Sequence, residues 1–129
     1  MSGEGSPART VFVVDDDPWI HAMLTMALED EGYRVVTASN GQEALAQLDQ
    51  HQPDVIVLDW MMPTMNGPRF HQELHRRGLR PGIPIVILTA DGNAQRKAEQ
   101  IGAEGYLRKP FDLEHLLGQV ARLIQTCPS

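Results

Sequence analysis

Acidic side chains follow two apolar segments of the chain at the point where each segment ends. Asp59 comes directly after residues 55–58 (VIVL), and Asp15 and Asp16 follow residues 10–14 (TVFVV). Continuous apolar runs of this length are typical of strands that are buried on both faces of a parallel sheet. Open α/β sheets bind their ligands at the carboxyl ends of such strands. We therefore expect Asp15, Asp16 and Asp59 to lie together at one edge of a sheet.

Two further residues with suitable chemistry lie at the ends of later apolar segments. Thr89 follows residues 85–88, and Lys109 lies just beyond residues 105–107. Three neighbouring carboxylates repel one another, and Mg²⁺ is a suitable counterion because it prefers oxygen ligands. The lysine adds a positive charge, and the threonine hydroxyl can donate a hydrogen bond. Each residue alone could be a helix cap, a turn residue or a solvated charge, but their coincidence at strand ends predicts a site for a phosphoryl group.

The elements that position these residues alternate between strand and helix five times along the chain. Strands are predicted at residues 10–14, 34–38, 55–58, 85–88 and 105–107, and helices at residues 18–31, 41–48, 68–77, 94–101 and 113–124. This alternation predicts an α/β fold, in which a doubly wound parallel sheet carries helices on both faces. Five strands favour the flavodoxin-like order 2-1-3-4-5, with the switch point between the first and third strands.

Capping and turn residues mark the ends of several elements. Asp17, Asn40 and Asp112 are predicted to be N-terminal caps of the first, second and last helices. Gly32 is predicted to end the first helix. Pro63 is predicted to make the loop after the third strand a rigid turn.

The composition limits the classes of protein to consider. The chain has 129 residues and a net charge of −6, which argues against direct binding to nucleic acid because phosphate contacts need clustered Lys and Arg. No apolar run is long enough to cross a membrane and no secretory leader opens the chain, so a cytoplasmic protein with the single Cys127 reduced is expected. One domain is predicted at residues 10–126, between a disordered tail at residues 1–9 and a short tail at residues 127–129.

Four motifs in this order resemble the receiver domain of two-component response regulators, the CheY-like family. They are the Asp15-Asp16 pair after TVFVV, DWMMPTMNG at residues 59–67, VILTA at residues 86–90 and YLRKPF at residues 106–111. The resemblance covers about residues 10–125. The segment between Thr89 and Lys109 is shorter than in many receivers, which predicts a short or displaced fourth helix.

The resemblance implies a phosphoacceptor site that uses Mg²⁺. Asp59 would accept a phosphoryl group from the phosphohistidine of a sensor histidine kinase or a phosphotransfer protein. The implied Mg²⁺ ligands are Asp16, Asp59, the backbone carbonyl of Met61 and, acting through water, Asp15. Lys109 would pair with the phosphoryl oxygens.

The resemblance also implies a conformational switch. The Thr89 hydroxyl would bond a phosphoryl oxygen, the small Ala90 would leave the phosphoryl group accessible, and Tyr106 would turn inward on activation. The peptide bond before Pro110 would be cis. The domain would catalyse only its own phosphorylation and dephosphorylation. It would control a downstream effector or a fused output domain, as a monomer or a phosphorylation-dependent dimer, and as a single-domain regulator or part of a longer protein.

Two other functions fit part of the pattern. A phosphatase of the haloacid-dehalogenase type also uses a strand-end Asp with Mg²⁺, but it needs a second Asp two residues later, where this chain has Met61. A flavin-binding module of the same topology needs a Ser-, Thr- or Gly-rich loop after the first strand, where this chain has the acidic residues 15–17. Both comparisons favour the receiver domain.

Other residues with metal-binding chemistry have simpler interpretations. His71 and His75 are four residues apart on a helix, but Gln72 stands where the zinc motif has glutamate. Packing beneath a loop, rather than binding of a soft metal, is predicted for Met61, Met62 and Met65. Trp60 is predicted to pack against a helix.

Overall fold

The computed structural model describes residues 9–62, 65–79 and 82–126. Within them, five strands and five helices alternate along the chain. The predicted turn at Pro63, Cys127 and the two predicted tails, apart from Arg9, lie outside the described residues.

The strands and helices lie within two residues of their predicted positions. The strands are β1 (Thr10–Val14), β2 (Arg34–Ala38), β3 (Val55–Asp59), β4 (Ile85–Thr89) and β5 (Gly105–Arg108). The helices are α1 (Pro18–Asp30), α2 (Gly41–Gln47), α3 (Gly67–Arg76), α4 (Ala94–Ile101) and α5 (Leu113–Thr126). Asp59 and Thr89 are the last residues of their strands, not the first residues after them, because the sheet pairs Asp59 with Leu88 and Thr89 with Arg108. The backbones of Asp59 and Thr89 are therefore fixed by the sheet.

All five strands are parallel, in the order β2-β1-β3-β4-β5. The predicted doubly wound α/β fold is confirmed. From β1 the strand order runs to β2 on one side, and β3, β4 and β5 follow on the other side. The switch point therefore lies between β1 and β3, and the carboxyl ends of these two strands border the crevice where such sheets bind ligands. None of the helices within the described residues combines the length and the apolar character needed to cross a membrane.

Alternate residues of the central strands pack into two apolar clusters, one on each face of the sheet. On one face, Val13 of β1 packs in a cluster with Leu24 of α1 and Val120 of α5. On the other face, Phe12 of β1 packs in a cluster that includes Phe70 of α3. Because successive side chains of a strand point to opposite faces, burial on both faces requires the continuous apolar runs seen in the sequence.

The predicted caps of the first two helices are confirmed. The Asp17 side chain accepts a hydrogen bond of 2.9 Å from the backbone N–H of Trp19. The Asn40 side chain accepts one of 2.8 Å from the backbone N–H of Glu43. Gly32 follows α1 with φ of +94°, a conformation that residues with a side chain rarely adopt, so the predicted end of α1 is also confirmed.

The fourth helix is short, as the sequence predicts. It has eight residues, and the preceding Asn93 makes no side-chain capping bond. The α4 residues that are buried are Ala94 and Ala98. By contrast, Asp112 accepts a bond of 3.1 Å from the backbone N–H of Glu114 at the start of α5, in agreement with its predicted capping role. In α4, two alanines are buried and the partly buried Ile101 packs against the apolar cluster on the α3 face of the sheet, so this helix buries little apolar surface.

Candidate functional site

The three acidic residues predicted to form a site lie together at the carboxyl edge of the sheet. Asp15 and Asp16 follow β1, and Asp59 ends β3. One carboxylate oxygen from each residue lies within 4.8 Å of the corresponding atoms of the other two. Asp15 is 0% exposed and Asp59 5% exposed, whereas Asp16 faces solvent. The site therefore combines two buried carboxylates with one that is open to a ligand.

Lys109 supplies a positive charge at this edge. Its backbone N–H donates a bond of 2.7 Å to the carbonyl of Thr89, which ties it to the end of β4. Its Nζ lies 2.8 Å from Asp15 Oδ2 and 3.5 Å from Asp59 Oδ1. Burial alone would lower the pKa of Lys109, but the hydrogen bond to Asp15 and the charges of both carboxylates raise it overall. The Lys109–Pro110 peptide bond is cis, as the resemblance implied.

Asp59 is difficult to ionise in this setting. Burial raises its pKa, and the negative charge of Asp15 raises it further. Lys109 and the backbone N–H of Met61, which lies 3.4 Å from Asp59 Oδ1, act in the opposite direction. Together these effects raise the pKa of Asp59 to about 7. A cation beside Asp59 would favour the charged form, which is the nucleophilic one.

The arrangement of donors fits a divalent cation with oxygen ligands. When the three carboxylates are ionised, Lys109 compensates only one of their charges. Mg²⁺ prefers carboxylate oxygens and keeps several waters, for which the exposed side of Asp16 leaves room. Asp15, Asp16 and Asp59 form the only group of at least three potential ligands among the described residues. The role of the Met61 carbonyl stays a prediction.

The residues predicted to sense the phosphoryl group lie on β4, directly after it, or on β5. Thr89 is 1% exposed, and its Oγ1 accepts a bond of 3.1 Å from the backbone N–H of Asp91. Ala90 is exposed, and its role of leaving the phosphoryl group accessible stays a prediction. Tyr106 is 40% exposed, so this structure places its ring at the surface.

The close approach of the loop after β3 depends on Gly67. The Gly67 backbone N–H donates a bond of 3.0 Å to the carbonyl of Trp60. A Cβ atom at position 67 would lie 3.1 Å from the carbonyl oxygen of Asp59 and 3.1 Å from Trp60 Cα. Any larger residue at this position would therefore push against the backbone at the end of β3. The sequence alone does not indicate this contact, because it joins the start of α3 to the end of β3 only after folding.

Two side chains that the sequence analysis missed hold the loops of the site. His21 of α1 places its Nε2 2.5 Å from the carbonyl oxygen of Asp15. Lys97 of α4 places its Nζ 2.8 Å from Asp91 Oδ2 and 5.8 Å from the centre of the Trp60 ring. In the sequence, both residues occupy ordinary polar positions of predicted helices. The periodicity of apolar residues does not indicate which loop a long side chain contacts.

His71 and His75 lie on the same helix, α3. The rings of His71 and His75 meet edge to face, with their centroids 6.0 Å apart. Within the described part of the chain, no third His, Cys, Asp or Glu joins them to form a cluster of potential ligands. Two imidazoles alone fall short of the three or four protein ligands typical of zinc sites.

The packing predictions for the neighbouring apolar residues hold except at one position. Trp60 is buried, as predicted. Met62 and Met65 pack against the apolar cluster on the α3 face of the sheet. The prediction is wrong for Met61, which is 70% exposed. Trp60, not Met61, takes the buried position that follows β3.

Comparison with known proteins places these features in a family. Residues 11–121 of the chain match the family described as the response regulator receiver domain. The phosphate regulon transcriptional regulatory protein PhoB of Pseudomonas aeruginosa is 36% identical over 119 residues, which cover 91% of this chain and 52% of PhoB. The chain thus spans about half the length of the curated relatives it matches.

Solved structures show the same architecture. The chemotaxis response regulator CheY4 of Vibrio cholerae is 36% identical with a TM-score of 0.82, covering 91% of this chain and 99% of CheY4. The response regulator TrrA of Thermotoga maritima, solved in complex with Mg²⁺-BeF, is 31% identical with a TM-score of 0.78, covering 89% of this chain and 98% of TrrA. The chain belongs to the response regulator receiver family, and it is therefore a phosphoacceptor domain of two-component signal transduction.

Proposed function

We propose that Asp59 accepts a phosphoryl group from a phosphohistidine. The observation that carries this proposal is the convergence on Asp59 of two other carboxylates within 4.8 Å and of the Lys109 ammonium at 3.5 Å. The proposed Mg²⁺ ligands are Asp16, Asp59, the backbone carbonyl of Met61 and, through water, Asp15.

The reaction requires an ionised Asp59 and compensation of the charge on the phosphoryl group. One Asp59 oxygen forms a bond to phosphorus while the bond from phosphorus to the donor nitrogen breaks, and the electron pair of that bond stays with the imidazole. Bound Mg²⁺ would supply positive charge to the phosphoryl oxygens. Lys109 Nζ lies 3.5 Å from Asp59 Oδ1 and is suited to pair with another phosphoryl oxygen.

The aspartyl phosphate persists long enough to act as a signal. Rapid hydrolysis needs a side chain that orients or activates water. Met61, two residues after Asp59, has no group that can do either. The same position disfavours a phosphatase of the haloacid-dehalogenase type, which needs an acid there. Catalysis by this chain is accordingly limited to its own phosphorylation and dephosphorylation.

A sensor histidine kinase or a phosphotransfer protein is the donor in this proposal, and an effector or a fused output domain is the recipient of the signal. One relative supports an output partner, and another supports a Mg²⁺-dependent phosphoryl site. PhoB is a transcriptional regulatory protein, and TrrA binds Mg²⁺-BeF. Phosphorylation of Asp59 would then alter the surface that the output partner meets.

Incubation with acetyl phosphate and Mg²⁺ tests the proposed function. We expect one phosphoryl group per chain, released by hydroxylamine because an aspartyl phosphate is an acyl phosphate. Asp59→Asn and omission of Mg²⁺ should each prevent labelling, whereas the control Asp49→Asn, at a side chain that is 77% exposed, should label like the wild type. Labelling of a histidine, or continuous hydrolysis of phosphate esters, would contradict the proposal.

A further inference from the structure

His21 of α1 lies between the ends of two neighbouring strands. Its Nε2 is 2.5 Å from the carbonyl oxygen of Asp15 and 3.1 Å from that of Ala38. Because carbonyl oxygens only accept hydrogen bonds, Nε2 carries the hydrogen and donates to this pair. The backbone N–H of Asp15 also donates to the Ala38 carbonyl, at 3.1 Å. His21 therefore ties the end of β1 to the end of β2.

The carbonyl that His21 meets belongs to the peptide group between two site residues. Asp15 lies one residue beyond the last residue of β1 and is 0% exposed, and a buried carbonyl needs a hydrogen-bond donor. The Asp15 carbonyl and the Asp16 N–H form one planar peptide group. Holding this carbonyl in place therefore sets the direction in which the chain enters Asp16.

The two neighbouring carboxylates differ in how they are held. Asp15 Oδ1 accepts a bond of 2.9 Å from the backbone N–H of Asp17, and Asp15 Oδ2 lies 2.8 Å from Lys109 Nζ. Asp16 is exposed, and within the described residues no hydrogen bond or ion pair fixes its carboxylate. Only its backbone can aim the Asp16 side chain toward the other two carboxylates.

We infer that His21 is a positioning residue of the cation site, which aims Asp16 by holding the peptide group between Asp15 and Asp16. This inference rests on the proposed function, because it concerns the same cation. His21 acts through the backbone of the β1–α1 loop. Groups that hold metal ligands in place typically change metal affinity about 10- to 100-fold when they are removed.

Three variants separate the hydrogen bond from simple packing. His21→Leu removes the donor and keeps a side chain of similar bulk, and His21→Gln keeps an N–H donor at a similar reach. His51→Leu, at a partly exposed histidine between α2 and β3, is the control. Mg²⁺ titrations are followed by the fluorescence of Trp60, which adjoins Asp59, in a Trp19→Phe background. Each variant is measured at a temperature well below the midpoint of its own thermal unfolding.

We expect His21→Leu to weaken Mg²⁺ binding about tenfold or more, and His21→Gln and His51→Leu to stay within about threefold of the wild type. With acetyl phosphate, His21→Leu should need more Mg²⁺ but reach nearly the wild-type rate when Mg²⁺ saturates. In the metal-free protein, NMR relaxation should show faster motion of the Asp16 amide in His21→Leu only.

Two results would overturn the inference while leaving the proposed function intact. One is equal Mg²⁺ affinity in the wild type and His21→Leu. The other is a loss in His21→Gln as large as that in His21→Leu, which would assign the effect to the shape of the ring. If the wild type itself shows no Mg²⁺ binding that depends on Asp16, the proposed function fails and the inference fails with it.

Discussion

At the scale of single residues, the buried carboxylate of Asp59 opposes the stability of the protein when no cation is present. Its pKa in the folded protein is about 7, because of burial and the nearby charge of Asp15. In the unfolded chain an aspartate titrates near a pKa of about 3.9. Between these two values the folded state binds more protons than the unfolded state, so this group makes stability fall as the pH rises through that window.

Asp59→Asn should therefore stabilise the metal-free protein at pH 8. The free energy of unfolding of the wild type should fall between about pH 4 and about pH 7 more steeply than that of the variant, because only the wild type must ionise a buried group there. Urea unfolding across this pH range, without Mg²⁺, measures the difference. Asp49→Asn controls for loss of an exposed charge. Equal pH dependence in the wild type and Asp59→Asn would show that Asp59 ionises freely.

Met61 offers a test of phosphoryl lifetime that does not disturb the fold. Its side chain is 70% exposed, so substitution costs little packing. Met61→Asn and Met61→Glu should shorten the life of the aspartyl phosphate, because a polar group there can orient water. The decay of phosphorylated protein after removal of acetyl phosphate measures this. Met26→Asn and Met26→Glu are matched controls, since Met26 is 71% exposed. Decay at the wild-type rate would show that position 61 does not govern access of water.

At the scale of elements, α4 is poised to respond to events at the end of β4. The Thr89 hydroxyl accepts a hydrogen bond from the backbone N–H of Asp91, and the Asp91 carboxylate holds Lys97 of α4. Movement of the Thr89 side chain toward a phosphoryl oxygen on Asp59 would strain this hydrogen bond. Because α4 buries little apolar surface, a small change in the preceding loop can alter its position.

Thr89→Ala should separate phosphorylation from its distant effects. The variant keeps Asp59 and Lys109, so it should bind a beryllofluoride phosphate mimic with Mg²⁺. Its NMR shift changes near Tyr106 and along α4 should be much smaller than in the wild type, because no hydroxyl follows the phosphoryl group. Thr89→Ser, which retains the hydroxyl, should respond like the wild type. Shift changes in Thr89→Ala as large as those of the wild type would show that Thr89 does not transmit the effect of phosphorylation to α4 and Tyr106.

The strands and the edge that carries the site could be predicted because both depend on local sequence. Apolar runs identify the buried strands, and Asp15 and Asp59 stand where those runs end. The contacts of His21 and Lys97 could not be predicted, because each joins a helix to a loop that is brought near it only by folding. The exposure of Met61 depends on which of two adjacent apolar residues turns inward, and hydrophobicity alone does not decide that.

At the scale of the whole molecule, the fold places three carboxylates of an acidic chain at one edge of a rigid sheet. Apolar clusters on both faces of the sheet fix the strands that carry them. The folded chain therefore keeps the buried carboxylates of Asp15 and Asp59 close together although they repel each other. A cation that binds only this arrangement stabilises the folded state by mass action.

Mg²⁺ should consequently raise the thermal unfolding midpoint. At about 100 times its dissociation constant, a ligand specific for the folded state adds about 2.7 kcal/mol, enough to raise the midpoint by several degrees. Asp16→Asn should remove most of this rise, because it removes a proposed Mg²⁺ ligand. Asp16 is exposed, so its replacement leaves the core intact. Glu29→Gln, at an exposed acid of α1, should keep it. An undiminished rise in Asp16→Asn would place the cation elsewhere.

The most direct measurement locates the phosphoryl group on the chain. Borohydride reduces an aspartyl phosphate to homoserine, which marks the modified position permanently. After reaction with acetyl phosphate and Mg²⁺, peptide mass spectrometry should find homoserine at position 59 and at no other aspartate. Asp59→Asn should yield no homoserine. Asp54→Asn, at the residue directly before β3, should still yield homoserine at position 59. Homoserine at position 15 or 16, or undiminished labelling of Asp59→Asn, would contradict the assignment of Asp59 as the phosphoacceptor.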